Sequence, residues 1–509
     1  MDTPEAERPA AAPTSERPMA PDFPTRQALA RQLVARYAGI VDDPEALIRC
    51  LLEPLPTTFW RNPLRLSREA LTALLARSGI EALPMSWNPD GLRLASDARP
   101  GQHWGFMAGL YQVQEEVSML PVQLLDPQPG ERVLDLCAAP GNKTAQIAMA
   151  MANTGTVVAN DSGRGRISAI RQTLKRLGLM NVAITLKDGQ SYPSRAGQFD
   201  RVLVDAPCTC EGTFRKVRVP QLVSDEFRQR TARVQERLLR RAVQLVRPGG
   251  RVVYSTCTFS PEENEAVVDA VLRDHRGALR LLPAHVAGFD AASGLTQWNG
   301  QRFDDQLRGS LRVWPHWRNT GGFFVAVLEK RGSARVSDDA ATYFQPPEEH
   351  RDWLKPLTER LGIPEAVFSR VQPVKRGARH LHFLPADHRL PLAPPPEMLG
   401  LPAVRRKSLP LKPTTAAVLL YGDQASRNWL AVDDAQFRAY LRREDAELRE
   451  AQLGHCEQPG YVVVRYQGVT VGLGQLIRDR DAPRAWLRSL MPKAWSLNVP
   501  EQEPADPDQ

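Results

Sequence analysis

The sequence predicts an α/β fold, in which a mostly parallel sheet carries helices on both faces and is followed by a smaller α+β module. Apolar, strand-like runs alternate with helical segments from about residue 110 to residue 330, an order typical of a covered parallel sheet. Between the strand-like residues 132–136 and a helix that begins at Asn142, the small residues Ala138-Ala139-Pro140-Gly141 predict a tight turn. The composition of residues 331–347 shifts to small, charged and proline residues, which indicates a linker to a second unit.

Length and composition limit the classes of protein. A chain of 509 residues predicts two or three domains, and a net charge of +8 is only a weak indication of a polyanionic partner. The six cysteines are too sparse for a disulfide scaffold and predict reduced thiols in a cytoplasmic protein. Cys208-Thr209-Cys210 lacks a second pair or nearby histidines, so we predict no metal site there. No apolar run approaches the ~20 residues that cross a membrane, so no membrane partner is expected.

The first elements are three predicted helices, at residues 25–37, 44–52 and 67–78. The 24 residues before them are rich in proline, alanine and glutamate, and predict a disordered tail and not a signal peptide. Between the helices, Phe59-Trp60-Arg61 and Arg65 mix aromatic and cationic side chains. Such a mixture either stacks on RNA bases and pairs with phosphates, or places aromatic rings in the core beside exposed arginines.

The central elements follow in alternation. We predict a helix at residues 110–125, then strands at 132–136, 156–160, 182–186, 201–204 and 251–255, and helices at 166–177, 227–246 and 261–272. Residues 311–314 and 323–328 predict a closing hairpin. The six arginines of residues 228–241 either bind phosphates or line a solvated helix face.

Beyond the linker the pattern is mixed. We predict a helix at residues 350–371, a strand at 380–384, a helix at 436–442, paired strands at 460–465 and 469–476, and a final helix at 484–490. Residues 390–412 are rich in proline and contain Arg405-Arg406-Lys407, and the last ten residues form an acidic tail. The sequence therefore predicts a separate α+β module in this half.

Acids follow two successive predicted strands. Asp161 ends one strand and Asp188 lies just beyond the next, so both fall on the edge of the sheet that carries the Ala138–Gly141 turn. An acid there either accepts hydrogen bonds from the ribose and amino groups of a nucleoside or caps a helix. Two such acids beside a small-residue turn favour an adenosine ligand.

Two cysteine-containing segments follow later strands. Asp205-Ala206-Pro207-Cys208 comes after one strand and Tyr254-Ser255-Thr256-Cys257 ends another, so each puts a thiol at the rim where substrates enter. A single buried cysteine is usually structural. Two thiols at matching strand ends, one beside an acid, are more typical of nucleophilic chemistry.

These segments, together with Arg312-Val313-Trp314-Pro315-His316 and Gly321-Gly322-Phe323-Phe324, resemble the Nop/Sun (Fmu-like) family of S-adenosylmethionine-dependent RNA cytosine-5 methyltransferases. The resemblance extends from about Tyr111 to Lys330. Residues after the linker are similar, more loosely, to the PUA-like tail of RsmF-type bacterial members that modify small-subunit rRNA.

The resemblance implies a Rossmann-like, seven-stranded methyltransferase core and a small PUA-like C-terminal module. It divides the chain into a disordered tail (1–24), an N-terminal RNA-contacting segment (25–105), the methyltransferase domain (106–330), a linker (331–349), an RNA-binding module (350–498) and an acidic tail (499–509). It implies an RNA partner, with rRNA favoured and tRNA as the alternative, and a monomeric cytoplasmic enzyme.

The resemblance also assigns roles to residues. Cys257 is implied as the nucleophile that adds to cytosine C6, Cys208 as the thiol that helps to release product, and Asp205 as the acid between the methyl group and the base. Residues that the resemblance implies in binding S-adenosylmethionine are Cys137, Ala138, Ala139, Pro140, Gly141, Asn142, Lys143, Asp161, Arg166, Asp188 and Asp205. Lys216 matches another position that is usually basic in the family.

Two residues depart from the family pattern. Asn142 stands where glycine or serine is common, and Cys210 stands where glycine is usual, so a third thiol lies near the site as an expected bystander. Two rival functions remain. A non-catalytic RNA-binding assembly factor is expected to have lost a catalytic residue, and a DNA cytosine methyltransferase is expected to use Cys208 and not Cys257 as its nucleophile.

Overall fold

A computed structural model of the chain describes residues 25–95, 98–217, 220, 222–332, 351–390, 393–406, 411–479 and 484–496. The predicted N-terminal tail (1–24) and acidic tail (499–509) lie outside the described residues, as does the predicted linker (331–349) beyond its first two residues. Among the residues that are described, every helix is too short or too polar to cross a lipid bilayer.

The N-terminal region combines helices with a small antiparallel sheet. Its elements are α1 (Arg26–Tyr37), α2 (Pro44–Leu52), β1 (Thr58–Arg61), α3 (Arg68–Arg77), β2 (Ala82–Pro84), β3 (Gly91–Leu94), α4 (Trp104–Met107) and β4 (Tyr111–Val113). Thr25, Asp43 and Ser67 cap the three longer helices, because each side chain accepts a backbone N–H of the first turn. The three helices predicted here are confirmed.

The aromatic residues of this region belong to the core. Phe59 and Trp60 are buried on β1, and the Trp60 indole donates to the Gln114 side chain at 2.7 Å. Arg61 pairs with Asp90. These rings are therefore not available for stacking on bases, and the core alternative is the correct one for Phe59 and Trp60.

The central region contains most of the predicted alternation. Its elements are α5 (Leu120–Leu125), β5 (Arg132–Asp135), α6 (Asn142–Ala150), β6 (Thr156–Asp161), α7 (Arg164–Leu177), β7 (Val182–Leu186), β8 (Phe199–Asp205), α8 (Asp225–Leu245), β9 (Val246–Thr256), α9 (Glu265–Asp274), β10 (Leu279–Leu282), β11 (Ala292–Ser293), β12 (Gln297–Trp298), β13 (Gln301–Arg302), β14 (Leu311–Val313), α10 (Pro315–Arg318) and β15 (Phe323–Lys330).

The helix predicted at residues 110–125 is wrong in its first half. Residues 111–113 form β4, which pairs antiparallel with β1, and the helix begins only at Leu120. Pro121 lies in the first turn of α5, where its missing N–H costs nothing, whereas the interior of a longer helix would exclude it.

The central sheet confirms the Rossmann-like prediction. Its order is β11-β14-β15-β9-β8-β5-β6-β7-β18, in which β18 (Met398–Leu399) comes from the C-terminal region, and β10 pairs with β15 off this path. The seven strands from β14 to β7 form the core. The pairs β5–β6, β6–β7, β5–β8 and β8–β9 are parallel, while β15 runs antiparallel to both β9 and β14. The strand order reverses between β5 and β8, the point at which ligands bind in sheets of this kind.

The C-terminal region forms two further sheets. Its elements are α11 (Arg351–Thr358), β16 (Val371–Arg376), β17 (His380–Pro385), β18 (Met398–Leu399), β19 (Leu401–Arg405), β20 (Lys412–Pro413), α12 (Thr415–Tyr421), β21 (Trp429–Ala431), α13 (Asp434–Arg442), β22 (Ala446–Leu448), β23 (Gly460–Tyr466), β24 (Val469–Arg478), β25 (Ala485–Ser489) and α14 (Lys493–Ser496). The sheets have the orders β16-β17-β19-β20 and β21-β23-β24-β25-β22.

Two helix predictions are wrong in this region. The helix predicted at 484–490 is β25, whose buried Ala485, Leu487 and Ser489 alternate with more exposed residues, because the strand pairs with both β24 and β22. The helix predicted at 350–371 ends at Thr358, since Gly362 has a positive φ of 66° and Pro364 follows it. Helix α12 was not predicted.

The C-terminal region is continuous with the rest of the molecule. Strand β18 pairs antiparallel with β7 and so extends the central sheet. Phe59 and Tyr111 share a hydrophobic core with Leu430 and Phe437. The buried Arg65 guanidinium donates to the carbonyls of Ala108 at 3.0 Å and Thr470 at 2.8 Å. Removing this region would therefore expose core surface of the N-terminal half.

Candidate active site

The carboxyl ends of the central parallel strands enclose a cavity of about 440 Å³. The predicted site residues that line it are Cys137, Ala139, Pro140, Lys143, Asp161, Arg166, Asp188, Asp205, Cys208 and Cys257. A neighbouring cavity of about 410 Å³ is lined by Ala138 and Asn142, and shares Lys143 and Asp205 with the first. The fold thus brings residues from five strand ends to one cleft.

The turn after β5 depends on one glycine. Gly141 has a φ of 104° and precedes the first turn of α6, where an added Cβ would lie 3.1 Å from Ile170 Cα. Both the positive φ and the contact with α7 favour glycine at this position. The turn therefore packs closely against the helix that carries Arg166.

Asp161 fixes the same turn through its carboxylate. It accepts the backbone N–H of Ala139 at 3.2 Å and that of Gly163 at 2.8 Å, and it pairs with Arg166 at 2.8 Å. The carboxylate side chain is 3% exposed, whereas that of Arg166 is 60% exposed. Arg166 therefore acts at this edge of the sheet by pairing with the Asp161 carboxylate.

The sequence left two roles open for Asp188, a ligand of a nucleoside and a helix cap, and its position is compatible with both. It lies at the cavity rim, and its carboxylate also accepts the backbone N–H of Gln190 at 3.0 Å as the cap of a short 3₁₀ turn.

Asn142, the first departure from the family pattern, accepts the Gln112 side-chain amide at 2.8 Å. Asn142 also lines the second cavity.

Lys143 and Asp205 line both cavities. The Lys143 ammonium lies 2.7 Å from Asp205, whose other oxygen accepts the Ser255 hydroxyl at 2.8 Å. Desolvation alone would lower the pKa of Lys143, but Asp205 outweighs it and the pKa is raised. Lys143 is therefore a cation that orients Asp205 within the cleft.

Three thiols meet beside this ion pair. Cys208 Sγ lies 3.3 Å from Cys257 Sγ and 3.9 Å from Cys210 Sγ. Cys208 and Cys257 are half-buried, and Cys210 is exposed. The third thiol is therefore a direct neighbour of Cys208.

Hydrogen bonds and burial distribute the protons of this cluster. A bond to Cys210 and a bond to Cys257, followed by burial, raise the pKa of Cys208. Bonds to Cys208 and Cys257 lower the pKa of Cys210 to about 3. A bond to Cys208 lowers the pKa of Cys257, but the bond to Cys210 and desolvation outweigh it, and the pKa is raised. The exposed Cys210 is thus the most acidic of the three thiols.

Glu263 is a buried residue of the site to which sequence reasoning assigned no role. Its carboxylate accepts the Thr209 N–H at 3.0 Å, the Thr209 hydroxyl at 2.5 Å and the Gln235 amide at 2.9 Å. Thr209 lies between Cys208 and Cys210, so Glu263 ties their loop to the segment after Cys257. Its position six residues after Cys257, at the start of a helical pattern, was the available signal.

Backbone contacts complete the link between the two cysteine segments. The Gly212 N–H donates to the Cys257 carbonyl at 2.8 Å, and the Gly322 N–H donates to the Gly212 carbonyl at 3.0 Å. A Cβ on Gly212 would lie 2.2 Å from the Gly322 carbonyl oxygen. Glycine at 212 therefore permits the loop after β8 to pack directly on the segment before β15.

The arginines of α8 mostly bind within the protein. Arg228 is buried and pairs with Glu211 at 2.9 Å, Arg240 pairs with Asp274 at 2.6 Å, and Arg237 donates to Gln190 at 2.5 Å. Glu211 in turn accepts the Tyr37 and Thr258 hydroxyls. Arg228 therefore stabilises the loop that carries Cys208 and is not part of a solvated helix face.

Burial of Glu263 generates a pH-dependent prediction. Desolvation raises the pKa of Glu263 from 4.5 to about 7, although its hydrogen bonds oppose this shift. The folded state then binds more protons than the unfolded state between these pH values, so this residue's contribution to stability falls as the pH rises from about 4.5 to 7. Glu263→Gln does not titrate, and its amide can donate to Thr209 Oγ. We therefore compare the free energy of unfolding of Glu263→Gln with that of wild type at each pH. The difference, variant minus wild type, should rise by up to about 3 kcal/mol in favour of the variant between pH 5 and pH 8.

Urea unfolding at several pH values measures this difference. Glu226→Gln on the exposed start of α8 is the matched control, and it should show a difference that varies little with pH. A constant difference between Glu263→Gln and wild type across this range would contradict the raised pKa.

Comparison with known proteins agrees with this architecture. The family model described as 16S rRNA methyltransferase RsmB/F matches residues 122–329, and the model described as methyltransferase RsmF PUA domain matches residues 427–495. A crystal structure of a methyltransferase homolog protein from Pyrococcus horikoshii has a TM-score of 0.53 and 32% identity, covering 58% of this chain and 93% of that chain.

Curated relatives carry related names. The chain is 40% identical over 285 residues to a 28S rRNA (cytosine-C(5))-methyltransferase of Mus musculus, which covers 54% of this chain and 35% of that protein. It is 32% identical over 453 residues to the ribosomal RNA small subunit methyltransferase F of Aeromonas hydrophila, with coverage of 84% and 89%. It is 35% identical over 303 residues to a tRNA (cytosine(49)-C(5))-methyltransferase of Pyrococcus abyssi, with coverage of 59% and 96%.

The extent of these matches differs. The chain spans about a third of the length of the mouse relative, but most of the length of the Aeromonas and Pyrococcus relatives. The matched residues include the strand ends that form the cleft and, after them, the five-stranded C-terminal sheet. The chain belongs to the RsmB/F family of S-adenosylmethionine-dependent RNA cytosine-C5 methyltransferases and carries an RsmF-type PUA domain.

Proposed function

We propose that this protein transfers the methyl group of S-adenosylmethionine to C5 of a cytidine in RNA through a covalent bond between Cys257 and cytosine C6. The observation that carries the proposal is the 3.3 Å separation of the Cys208 and Cys257 sulfur atoms beside Asp205. Two thiols and an acid at the ends of adjacent strands supply a nucleophile, a group for product release and a hydrogen-bonding partner for the base.

The residues of the first cavity fit an adenosine-containing cofactor. Asp161 and Asp188 offer carboxylate acceptors for ribose hydroxyl and adenine amino groups, and Leu238 and Pro207 offer apolar surface for a flat base. The turn from Cys137 to Lys143, Asp161, Arg166 and Asp188 are the residues that would hold it. When bound, S-adenosylmethionine supplies an electrophilic methyl group.

The proposed chemistry begins at Cys257. Cytosine C5 is a weak nucleophile, and addition of the Cys257 sulfur to C6 forms a C–S bond and makes the ring electron-rich at C5. Because the pKa of Cys257 is raised, the thiol must first give up its proton, and the Asp205 carboxylate, which lines the same cavity, is a base that can receive it. Asp205, held by Lys143 and Ser255, is then suited to donate this proton to ring N3 as negative charge develops there, and to accept a hydrogen bond from the N4 amino group.

Product release requires a second proton transfer. After methylation, the proton on C5 leaves to a base, its electron pair reforms the C5–C6 double bond, and the C–S bond to Cys257 breaks. The position of Cys208 beside Cys257 supports a role for Cys208 in this elimination. The cytosine must be unstacked to enter the cleft, which favours a loop or a locally opened helix as the target.

The C-terminal region supports an RNA partner. A cavity of about 850 Å³ there is lined by Trp353 and Tyr461 together with Arg360, Lys375 and Arg406. The Arg406 guanidinium lies 5.9 Å from the Trp353 ring centroid. Aromatic rings and cations in one groove are typical of surfaces that stack bases and bind phosphates.

Small-subunit rRNA is the favoured target. The similarity to the Aeromonas relative named for that activity includes the C-terminal region, whereas the similarity to the Pyrococcus tRNA enzyme covers 59% of this chain. A cytoplasmic monomer is the form in which we propose that the protein acts. The alternative of a DNA cytosine methyltransferase requires Cys208 as nucleophile and assigns no covalent role to Cys257.

Replacing each cysteine in turn separates these roles. Cys257→Ala removes the attacking sulfur, so methylation should fall to background and no protein–RNA adduct should form. Cys208→Ala should still permit attack and methyl transfer but fail at elimination. It should therefore accumulate a protein–RNA complex that survives denaturing electrophoresis.

The reverse pattern, with an adduct in Cys257→Ala and none in Cys208→Ala, would support the DNA-enzyme type of mechanism. Retained activity without adducts in either variant would exclude the covalent route. Cys456→Ala, at a buried thiol of the C-terminal region, is the matched control and should retain activity. If Cys208→Ala still turns over, the double variant with Cys210→Ala tests whether the neighbouring thiol replaces Cys208.

Cofactor affinity should depend on Asp161. We expect Asp161→Ala to weaken S-adenosylmethionine binding by about 1–3 kcal/mol, because a charged acceptor and the order of the Ala139 turn are both lost. Calorimetry on the folded variant measures the change. Asp290→Ala, at an exposed carboxylate elsewhere in the domain, is the control. Equal affinities for Asp161→Ala and wild type would remove Asp161 from the cofactor site.

A further inference from the structure

The sulfur atoms of Cys208, Cys210 and Cys257 form a compact triangle. Two of its edges measure 3.3 and 3.9 Å, and all three atoms lie within 4.8 Å of one another. The sequence contributes only a Cys-x-Cys pair at 208 and 210, and the parallel pairing of β8 with β9 adds Cys257. The proposed methylation uses two of these thiols and leaves Cys210 without a role.

The spacing is close to that of a tetrahedral metal site. With zinc–sulfur bonds of about 2.3 Å, neighbouring sulfur ligands lie about 3.8 Å apart, so small side-chain rotations bring this triangle to the required size. We propose that Cys208, Cys210 and Cys257 form a three-thiolate site for Zn²⁺, with the fourth position open toward the cavity.

The backbone holds the three ligands in place before any ion arrives. Cys210 has a φ of 59°, and its loop is fixed by the bonds of Thr209 to Glu263. The Gly212 N–H, two residues further on, donates to the Cys257 carbonyl. A preorganised triangle loses little conformational entropy on binding, which favours affinity. The exposed Cys210 thiol gives an ion access from solvent.

Charges of both signs surround the sulfur atoms. Three thiolates and one Zn²⁺ carry a net charge of −1, because the binding releases the thiol protons. Two carboxylates of the same cavity are paired, Asp205 with Lys143 at 2.7 Å and Asp161 with Arg166 at 2.8 Å. Lys216 adds a cation that stabilises a negative complex, whereas Glu115 and Asp188 add carboxylates that oppose it. The arrangement of the three sulfur atoms, and not the charge of the cavity, therefore carries the proposal.

Occupancy would oppose catalysis. An ion bound to Cys257 and Cys208 occupies the electron pairs of both thiolates that the proposed mechanism needs, so zinc and cytosine are expected to exclude each other. This consequence rests on the proposed function, whereas the binding of zinc does not.

Metal titration of the full-length, reduced protein tests the site directly. Zn²⁺ is titrated in competition with a chromophoric chelator, under argon and with a phosphine reductant, and Co²⁺ serves as the spectroscopic probe. We expect one ion per chain, with tetrahedral d–d bands and sulfur-to-cobalt charge transfer that reports three thiolates. Cys210→Ser should weaken zinc binding by roughly 100-fold or more, since even outer-shell partners of metal ligands are worth about 10–100-fold.

Two further variants make the result decisive. Cys210→Gly removes the thiol while suiting the positive φ, so it should fold and should also lose tight zinc binding. Cys456→Ser removes a distant thiol and should bind zinc as tightly as wild type. Absence of stoichiometric binding by wild type, or undiminished affinity in both Cys210 variants, would overturn the proposal.

An activity measurement follows as a separate arm. Equimolar Zn²⁺ should inhibit RNA methylation by wild type, and a chelator should restore it. Methylation that persists when the cobalt spectrum shows full occupancy would contradict mutual exclusion. If the protein lacks methyltransferase activity altogether, the proposed function fails, but the spectroscopic titration still decides whether the zinc site exists.

Discussion

The parallel pairing of β8 with β9 is the constraint on which the site depends. It places the residues after both strands at one edge of the sheet, so that segments separated by about 50 residues of chain bring Cys208 and Cys257 to within 3.3 Å. The buried Glu263 carboxylate and the Gly212 N–H then bind the two segments to each other. Because buried polar groups are costly without partners, these bonds restrict the loop to few arrangements.

The same edge holds the acidic residues at a graded depth. Asp161 is nearly inaccessible and binds the turn after β5, Asp188 is exposed at the rim, and Asp205 lies between them and the thiols in an ion pair with Lys143. This gradient gives each carboxylate a different partner. A ligand entering the cleft therefore meets Asp188 from solvent, whereas Asp161 is accessible only from within.

Much of the central domain could be predicted from the sequence, because its strands are continuous apolar runs that end in polar residues. The predicted positions of Asp161, Asp188, Asp205 and Cys257 at strand ends agree with the structure. Pairing between strands that are far apart in the sequence was harder to predict. Residues 111–113 and 485–489 have mixed patterns that suit a helix in isolation, and only their partner strands make them β-structure.

The partners of buried side chains were the least predictable part. Glu263 and Glu211 look like ordinary surface acids in the sequence, yet both are buried and bind the loop that carries Cys208. The contact of Cys208 with Cys210 could be suspected from their spacing, and its proximity to Cys257 from the matching strand ends, but the distances between the three sulfur atoms could not be predicted. Strand β18 likewise comes from a proline-rich stretch whose role depends on the free edge of β7.

The central claim is that this cleft methylates C5 of cytidine in small-subunit rRNA. The most direct measurement incubates the purified protein with methyl-labelled S-adenosylmethionine and either small-subunit rRNA or tRNA, followed by nucleoside mass spectrometry and bisulfite mapping. The account predicts label in 5-methylcytidine at a defined position of the rRNA and little in tRNA. Label confined to tRNA, or found in any nucleoside other than 5-methylcytidine, would contradict it.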